Sequence, residues 1–180
     1  MTNCITLHPL KDIDVTYACQ LYESSFPIEE RRDTTHWLAY NESKPQFNIL
    51  CIKNNSRFQG ILSYWSFDTF CYIEHFAISS QQRGTGIGSA ALKLFAASHA
   101  QRPIILEVEP DTDNITHRRI LFYKRHNFHV IALPYTQPPY HKGGKTFPLN
   151  IMCNDANFAK EHFNLIVKTI HQQVYNYSIN

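Results

Sequence analysis

Three glycines at alternate positions, Gly84, Gly86 and Gly88, lie in the run Gln81-Gln82-Arg83-Gly84-Thr85-Gly86-Ile87-Gly88-Ser89, after an apolar stretch ending at Ile78. Glycine permits positive φ and lets another group approach the peptide N–H donors closely. An apolar helical pattern begins at Ile87. The first N–H groups of a helix have no partner within it, and its dipole adds partial positive charge there. The stretch therefore predicts a strand, an anion-binding turn and a helix N-terminus, suited to a phosphate or pyrophosphate. A flexible loop that merely starts a helix is the plain alternative.

Elements on both sides predict an α/β fold. Residues 4–8 alternate as a short strand. A helix starts near Asp12 or Asp14, carries Val15, Ala18, Cys19 and Tyr22 on one face, and ends before Pro27. Phe26-Pro27-Ile28-Glu29-Glu30 opens a second helix, with proline early and carboxylates in the first turn. Residues 47–53, 58–67 and 69–79 read as three strands of an antiparallel meander, with Asn54-Asn55-Ser56 as a turn. After the loop, Ile87, Ala91, Leu94, Phe95 and Ser98 share a helix face, and the run 104–109 is an interior strand. Residues 116–127 form another helix. Strands follow at 129–133 and 147–153, joined by a loop rich in proline and tyrosine. Phe163, Ile166, Val167, Ile170, Val174 and Tyr177 mark an amphipathic C-terminal helix, started near Asn154-Asp155.

A chain of 180 residues with 43% apolar and 18% charged residues suits a single domain over 1–180, with 153–180 as a helical extension. A net charge of +2 is too small to argue for nucleic-acid or membrane binding, and neither partner is expected. Cys4, Cys19, Cys51, Cys71 and Cys153 are odd in number and contain no CxxC pair, which fits reduced thiols in the cytoplasm. Residues 1–10 lack a signal-peptide pattern, and no run of about 18 apolar residues suggests a membrane span. The ten histidines give no three-ligand spacing, so no metal is expected.

The order of elements and three motifs together resemble the GCN5-related N-acetyltransferases (GNAT). Gln81-x-x-Gly84-x-Gly86, extended as Arg83-Gly84-x-Gly86-Ile87-Gly88, matches the family's acetyl-CoA pyrophosphate signature. Phe122-Tyr123-Lys124-Arg125-His126-Asn127-Phe128 is similar to its Phe-Tyr-x-x-x-Gly-Phe segment, and Glu74-His75-Phe76-Ala77-Ile78 to its central strand. The resemblance covers about residues 1–153. It implies a central mixed, mostly antiparallel sheet flanked by helices. Thr116 and Arg119 stand where the family often has asparagine and alanine, and Asn127 replaces its glycine.

The activity implied is transfer of an acetyl group from acetyl-CoA to a primary amine of a small molecule or peptide, by a monomer or homodimer. Tyr123 matches the tyrosine that acts as general acid toward the CoA sulfur, and the backbone of Phe76, Ala77 and Ile78 pairs with the pantetheine arm. Gln81, Arg83, Gly84, Thr85, Gly86, Ile87, Gly88 and Ser89 hold the pyrophosphate. An ammonium must lose a proton before it attacks, so a base is needed. Glu74, in an otherwise apolar strand and on a face with Tyr72 and Phe76, is the first choice, because a buried carboxylate is costly unless paired or functional. Glu107 and Glu109 compete for the role. Tyr135, Tyr140 and Phe147 pack a late loop or wall the acceptor pocket. A non-catalytic acyl-CoA sensor is the rival function. An ATP site is disfavoured, because no Gly-Lys-Ser/Thr follows the loop.

Overall fold

The apolar runs read as strands are strands in the computed structural model, which describes residues 4–177. The chain divides after Arg102 into two units, each with its own strands and helices.

In the first, β1 (Ile5–Pro9), β2 (Phe47–Asn54), β3 (Arg57–Ser66) and β4 (Cys71–Ile78) lie side by side in chain order, each neighbouring pair antiparallel. Asn55 and Ser56 make the two-residue β2–β3 turn at φ 48° and 66°, as the strand twist prefers. Two bulges interrupt the ladders, because Gln59 on β3 and Glu74 on β4 are each skipped by the register. Helix α1 (Asp12–Ser25) buries Ala18 and Tyr22, and α2 (Thr34–Ser43) buries Trp37. The Tyr22 and Trp37 rings stack with centroids 4.2 Å apart.

The helix expected to open at Phe26-Pro27 is broken. A three-residue 3-10 turn, Ile28–Glu30, is followed by Arg31 in extended conformation, and α2 starts only at Thr34. The cause is tertiary: the Arg32 N–H donates to Tyr22 Oη at 3.1 Å and its guanidinium pairs with Glu74. Helix α3 (Ile87–Ser98) buries Ile87, Ala91, Leu92 and Phe95. Its buried stripe is turned toward Leu92, leaving Leu94, expected inside, 42% exposed.

In the second unit, β7 (Phe147–Cys153) runs antiparallel between β5 (Ile104–Val108) and β6 (His129–Gln137). Strand β6 runs past the expected end at 133. The pairing breaks between Ile131 and Tyr135, where exposed Pro134 offers no N–H, and then resumes. Helix α4 (Asn114–Lys124) starts from a capping box in which Asp113 Oδ1 accepts from Ile115 N at 2.7 Å and Thr116 N at 2.8 Å. The single C-terminal helix expected is three pieces: α5 (Ala156–Glu161), capped by Asp155, α6 (Phe163–Thr169), and a π turn at Ile170–Val174. Ile166, Ile170 and Val174 are buried as anticipated, while Tyr177 is 43% exposed.

The fold class is the expected one: an α/β architecture in which antiparallel strand pairs predominate and helices flank them. Among the described residues, no helix is long and apolar enough to cross a membrane.

Candidate functional site

From Ile78 the chain passes through a 3-10 turn at Ser80–Gln82 into the glycine loop. Gly84 and Gly86 take φ 77° and 87°, conformations that a side chain makes costly. A Cβ on either would meet nothing within 4 Å, so it is the backbone conformation that calls for glycine, and the space beside it is open. Gly86 is the N-cap of α3, and no side chain caps that helix start. Ile87 is buried and anchors the first turn, which Gly88 and Ser89 continue. The loop is held from within: Arg83 Nε donates to Ile78 O at 3.2 Å and Thr85 Oγ1 to Gln82 O at 2.7 Å. Gln81, Arg83, Gly84 and Thr85 are exposed. This is an open helix start with no side-chain cap, the kind of terminus at which anions bind.

On β4, Ala77 is buried while Phe76 and Ile78 are partly exposed. Beside them, a Cβ on Gly60 of β3 would lie 2.5 Å from Ala77 O. That glycine, not anticipated from sequence, lets the two backbones close next to the stretch assigned to the pantetheine arm.

Glu74 occupies the β4 bulge. The strict alternation that would align it with Tyr72 and Phe76 fails there, and Glu74 and His75 both meet groups of the segment 22–32. Its carboxylate pairs with Arg32 and accepts from Trp65 Nε1 at 2.8 Å; its side chain is 0% exposed. The Arg32 guanidinium lies 4.9 Å from the Tyr40 ring centroid and 5.7 Å from that of Trp65. Burial alone would raise the carboxyl pKa, but Arg32, His75 and the Trp65 N–H outweigh it and hold the group below its ordinary value. His75 is pushed down to about 4, chiefly by burial, against the opposing charge of Glu74. Its Nε2 lies 3.2 Å from Glu30 O and its Nδ1 3.3 Å from Ser63 Oγ, contacts that suit a neutral ring with the proton on Nε2. Sequence reasoning did not find Arg32 and Trp65. The available signal was the carboxylate in an apolar strand, which requires a cation and a donor nearby.

In the second unit, Tyr123 sits at the last turn of α4 with its ring buried. The helix ends in a Schellman motif: Phe128 N–H donates to Tyr123 O at 3.1 Å, Asn127 N–H donates to Lys124 O at 3.1 Å, and Asn127 has φ 64°. Asparagine therefore performs the turn that glycine performs in the family pattern. Burial pushes the Tyr123 phenol up to about 12, partly offset by Arg119. Among the described residues its hydroxyl makes no hydrogen bond. Thr116 is used locally, its Oγ1 accepting from Asp113 N at 3.1 Å and Thr112 N at 3.2 Å. Arg119 pairs with Glu109 on the surface.

Glu107 on β5 is partly exposed and receives two phenols, Tyr135 Oη on Oε1 and Tyr175 Oη on Oε2 at 2.7 Å. Tyr135 and Tyr140, named from sequence, thus join Tyr175 from the C-terminal segment, whose ring lies 4.8 Å from that of Tyr140. Phe147 begins β7 and is half-buried. Among the described residues, no three His, Cys, Asp or Glu side chains gather as a metal site.

A family description, acetyltransferase (GNAT) family, matches residues 15–128. A Bacillus subtilis (strain 168) protein that carries the name of an acetyltransferase, YjbC, is 32% identical over 114 residues, covering 61% of this chain and 56% of its own. The match thus spans about half the length of that relative. A solved structure named as a GNAT-family acetyltransferase from Bacteroides thetaiotaomicron superposes with a TM-score of 0.90 at 32% identity, over 96% of this chain and 99% of its own. An Arabidopsis thaliana protein solved with the bisubstrate analogue CoA-Ac-MVNAL shares the fold, with a TM-score of 0.62 at 17% identity, covering 83% of this chain and 97% of that one. On the family match, the 32% identical neighbour and the glycine cradle at the start of α3, this chain belongs to the GNAT family of acetyltransferases.

Proposed function

We propose that the protein is an acetyl-CoA-dependent N-acetyltransferase that acts on a primary amine of a small molecule or peptide by direct attack in a ternary complex. The observation that carries this reading is the loop with Gly84 and Gly86 at positive φ, running into the uncapped, open N-terminus of α3. Acetyl-CoA supplies an acyl group activated as a thioester. The N–H groups of the first α3 turn hold its pyrophosphate, with Gln81, Arg83 and Thr85 around it, and the backbone of Phe76 to Ile78 pairs with the pantetheine arm and polarises the carbonyl. Tyr123 gives a proton to the departing thiolate. Its phenol is pushed up to about 12 and so is protonated at neutral pH, and its hydroxyl is not committed elsewhere among the described residues.

Three carboxylates compete for the base, and their surroundings rank them. Glu74 is buried against a guanidinium, which donates and never accepts, so a proton on Glu74 would face a donor. Glu109 is a surface partner of Arg119. Glu107 is partly exposed and accepts hydrogen bonds from two neutral phenols. Glu107 takes the proton from the ammonium, directly or through water, and Glu74 organises the β4 bulge. The neighbour solved with a CoA–peptide conjugate supports including peptides among the acceptors tested.

The test uses the best acceptor from an amine panel. Tyr123→Phe and Glu107→Gln each lower kcat by about 10²- to 10⁴-fold, while acetyl-CoA binding persists. Full activity in Tyr123→Phe removes the acid. A larger kcat loss in Glu74→Gln than in Glu107→Gln, with folding intact, returns the base to Glu74.

A further inference from the structure

The C-terminal segment ends in an irregularity with a definite product. The π turn at Ile170–Val174, closed by Tyr175 N–H donating to Ile170 O at 3.3 Å, slips the helix by one residue. Ile170, His171, Val174 and Tyr175 are all buried. Two bonds fix the turn to β6: His171 Nε2 lies 3.1 Å from Thr136 O, and Gln137 Nε2 donates to Tyr175 Oη at 2.7 Å. π turns of this kind are frequent at functional positions.

The hydrogen bonds around Tyr175 have one direction. Gln137 donates to the phenol oxygen, so the phenol proton goes to Glu107 Oε2. Tyr135 donates to the other carboxylate oxygen. Burial first, and then the charge of Glu107, raise the Tyr135 phenol far above its ordinary value, so it stays a donor. Each carboxylate oxygen accepts from one of the two phenols, Oε1 from Tyr135 and Oε2 from Tyr175. The plane of Glu107 is thereby set from both sides, once by β6 and once by the C-terminal segment.

We propose that Tyr175 and Tyr135 are positioning residues for the reaction, orienting the Glu107 carboxylate toward the acceptor amine, so that the C-terminal extension is a working part of the acceptor side. This inference rests on the assignment of Glu107 as base. Misplacement of a reacting group by about 1 Å costs up to 10²-fold in rate. Removing the Tyr175 hydroxyl, with its ring still packed on Tyr140, is therefore a perturbation of rate.

The experiment is steady-state kinetics of Tyr175→Phe, Glu107→Gln and the double variant in the full chain, alongside melting temperature and acetyl-CoA titration. The expected result is a kcat lower by about 10- to 100-fold in Tyr175→Phe, with acetyl-CoA affinity unchanged and kcat expressed per folded molecule. In the Glu107→Gln background, Tyr175→Phe has no further effect on kcat. Tyr135→Phe, measured the same way, gives a second reading of the same coupling. A Tyr175→Phe enzyme of lower melting temperature but unchanged kcat makes the residue purely structural and overturns the inference. If Glu107→Gln itself retains full kcat, the base assignment falls; if Glu107→Gln is inactive while both phenylalanine variants are fully active, only the positioning role falls.

Discussion

Acidification should destabilise this protein through His75 at a higher pH than through Glu74. The ring is 2% exposed, its edges meet Tyr22 and Phe26 at centroid distances of 4.9 and 4.6 Å, and burial pushes its pKa from 6.5 down to about 4. Between those values the unfolded chain binds a proton that the folded chain refuses. Stability therefore rises with pH across the window and is lost as pH falls from 6.5 toward 4. Each pKa unit corresponds to about 1.4 kcal/mol, so the full window removes on the order of 3 kcal/mol, a sizeable share of a typical folding free energy. Glu74 acts lower on the scale. Its folded pKa lies below the ordinary 4.5, so its stabilisation is present above that value and fades only as pH falls through the depressed one. The assay is urea unfolding at several pH values between about 7 and 4.5 for wild type and His75→Gln, a replacement that keeps a donor for Glu30 O and cannot titrate. The wild type loses stability across the window and the variant holds a flatter profile. Parallel profiles would refute the assignment of this acid sensitivity to His75.

Three further outcomes follow from particular contacts. Arg32→Met strands the buried Glu74 carboxylate and costs about 3–5 kcal/mol in urea unfolding, whereas Arg32→Met with Glu74→Leu costs clearly less, because no unpaired charge remains. Gly86→Val forces a β-branched residue to φ 87°, costs about 1–2 kcal/mol or more, and weakens acetyl-CoA binding in calorimetric titration. Asn127→Gly leaves stability unchanged or raises it by a few tenths of a kcal/mol, while Asn127→Val lowers it by about 1–2 kcal/mol, both read from thermal melts.

The strands of the meander and the helix after the glycine loop were legible in the sequence because their signals are local. Alternation in 47–53 and the turn pair Asn55-Ser56 need no distant partner to be read. The glycine positions of the loop were legible for the same reason. The break in the helix at residues 26–33 was not, because it is set by Tyr22 and Glu74, which capture Arg32 from 10 and 42 residues away in the chain. The face presented by Glu74 was misread for a related reason: one skipped residue on β4 reverses the alternation on which the reading rested. The π turn and the approach of Tyr175 to Glu107, 68 residues earlier, likewise carry no periodic signature. Helical spacing finds Ile166, Ile170 and Val174, and it passes over the residue that the slip turns inward.

The central claim is that this chain moves an acetyl group from acetyl-CoA to an amine. Its most direct test is thiol release from acetyl-CoA by the purified protein across a panel of amino acids, polyamines, amine antibiotics and peptides, with mass spectrometry of the products. The account predicts that at least one primary amine is acetylated at a rate well above hydrolysis, and that Tyr123→Phe lowers that rate by about 10²-fold or more. Tight binding of acetyl-CoA with no acetylated amine across the panel would contradict it and make the protein a sensor of acyl-CoA.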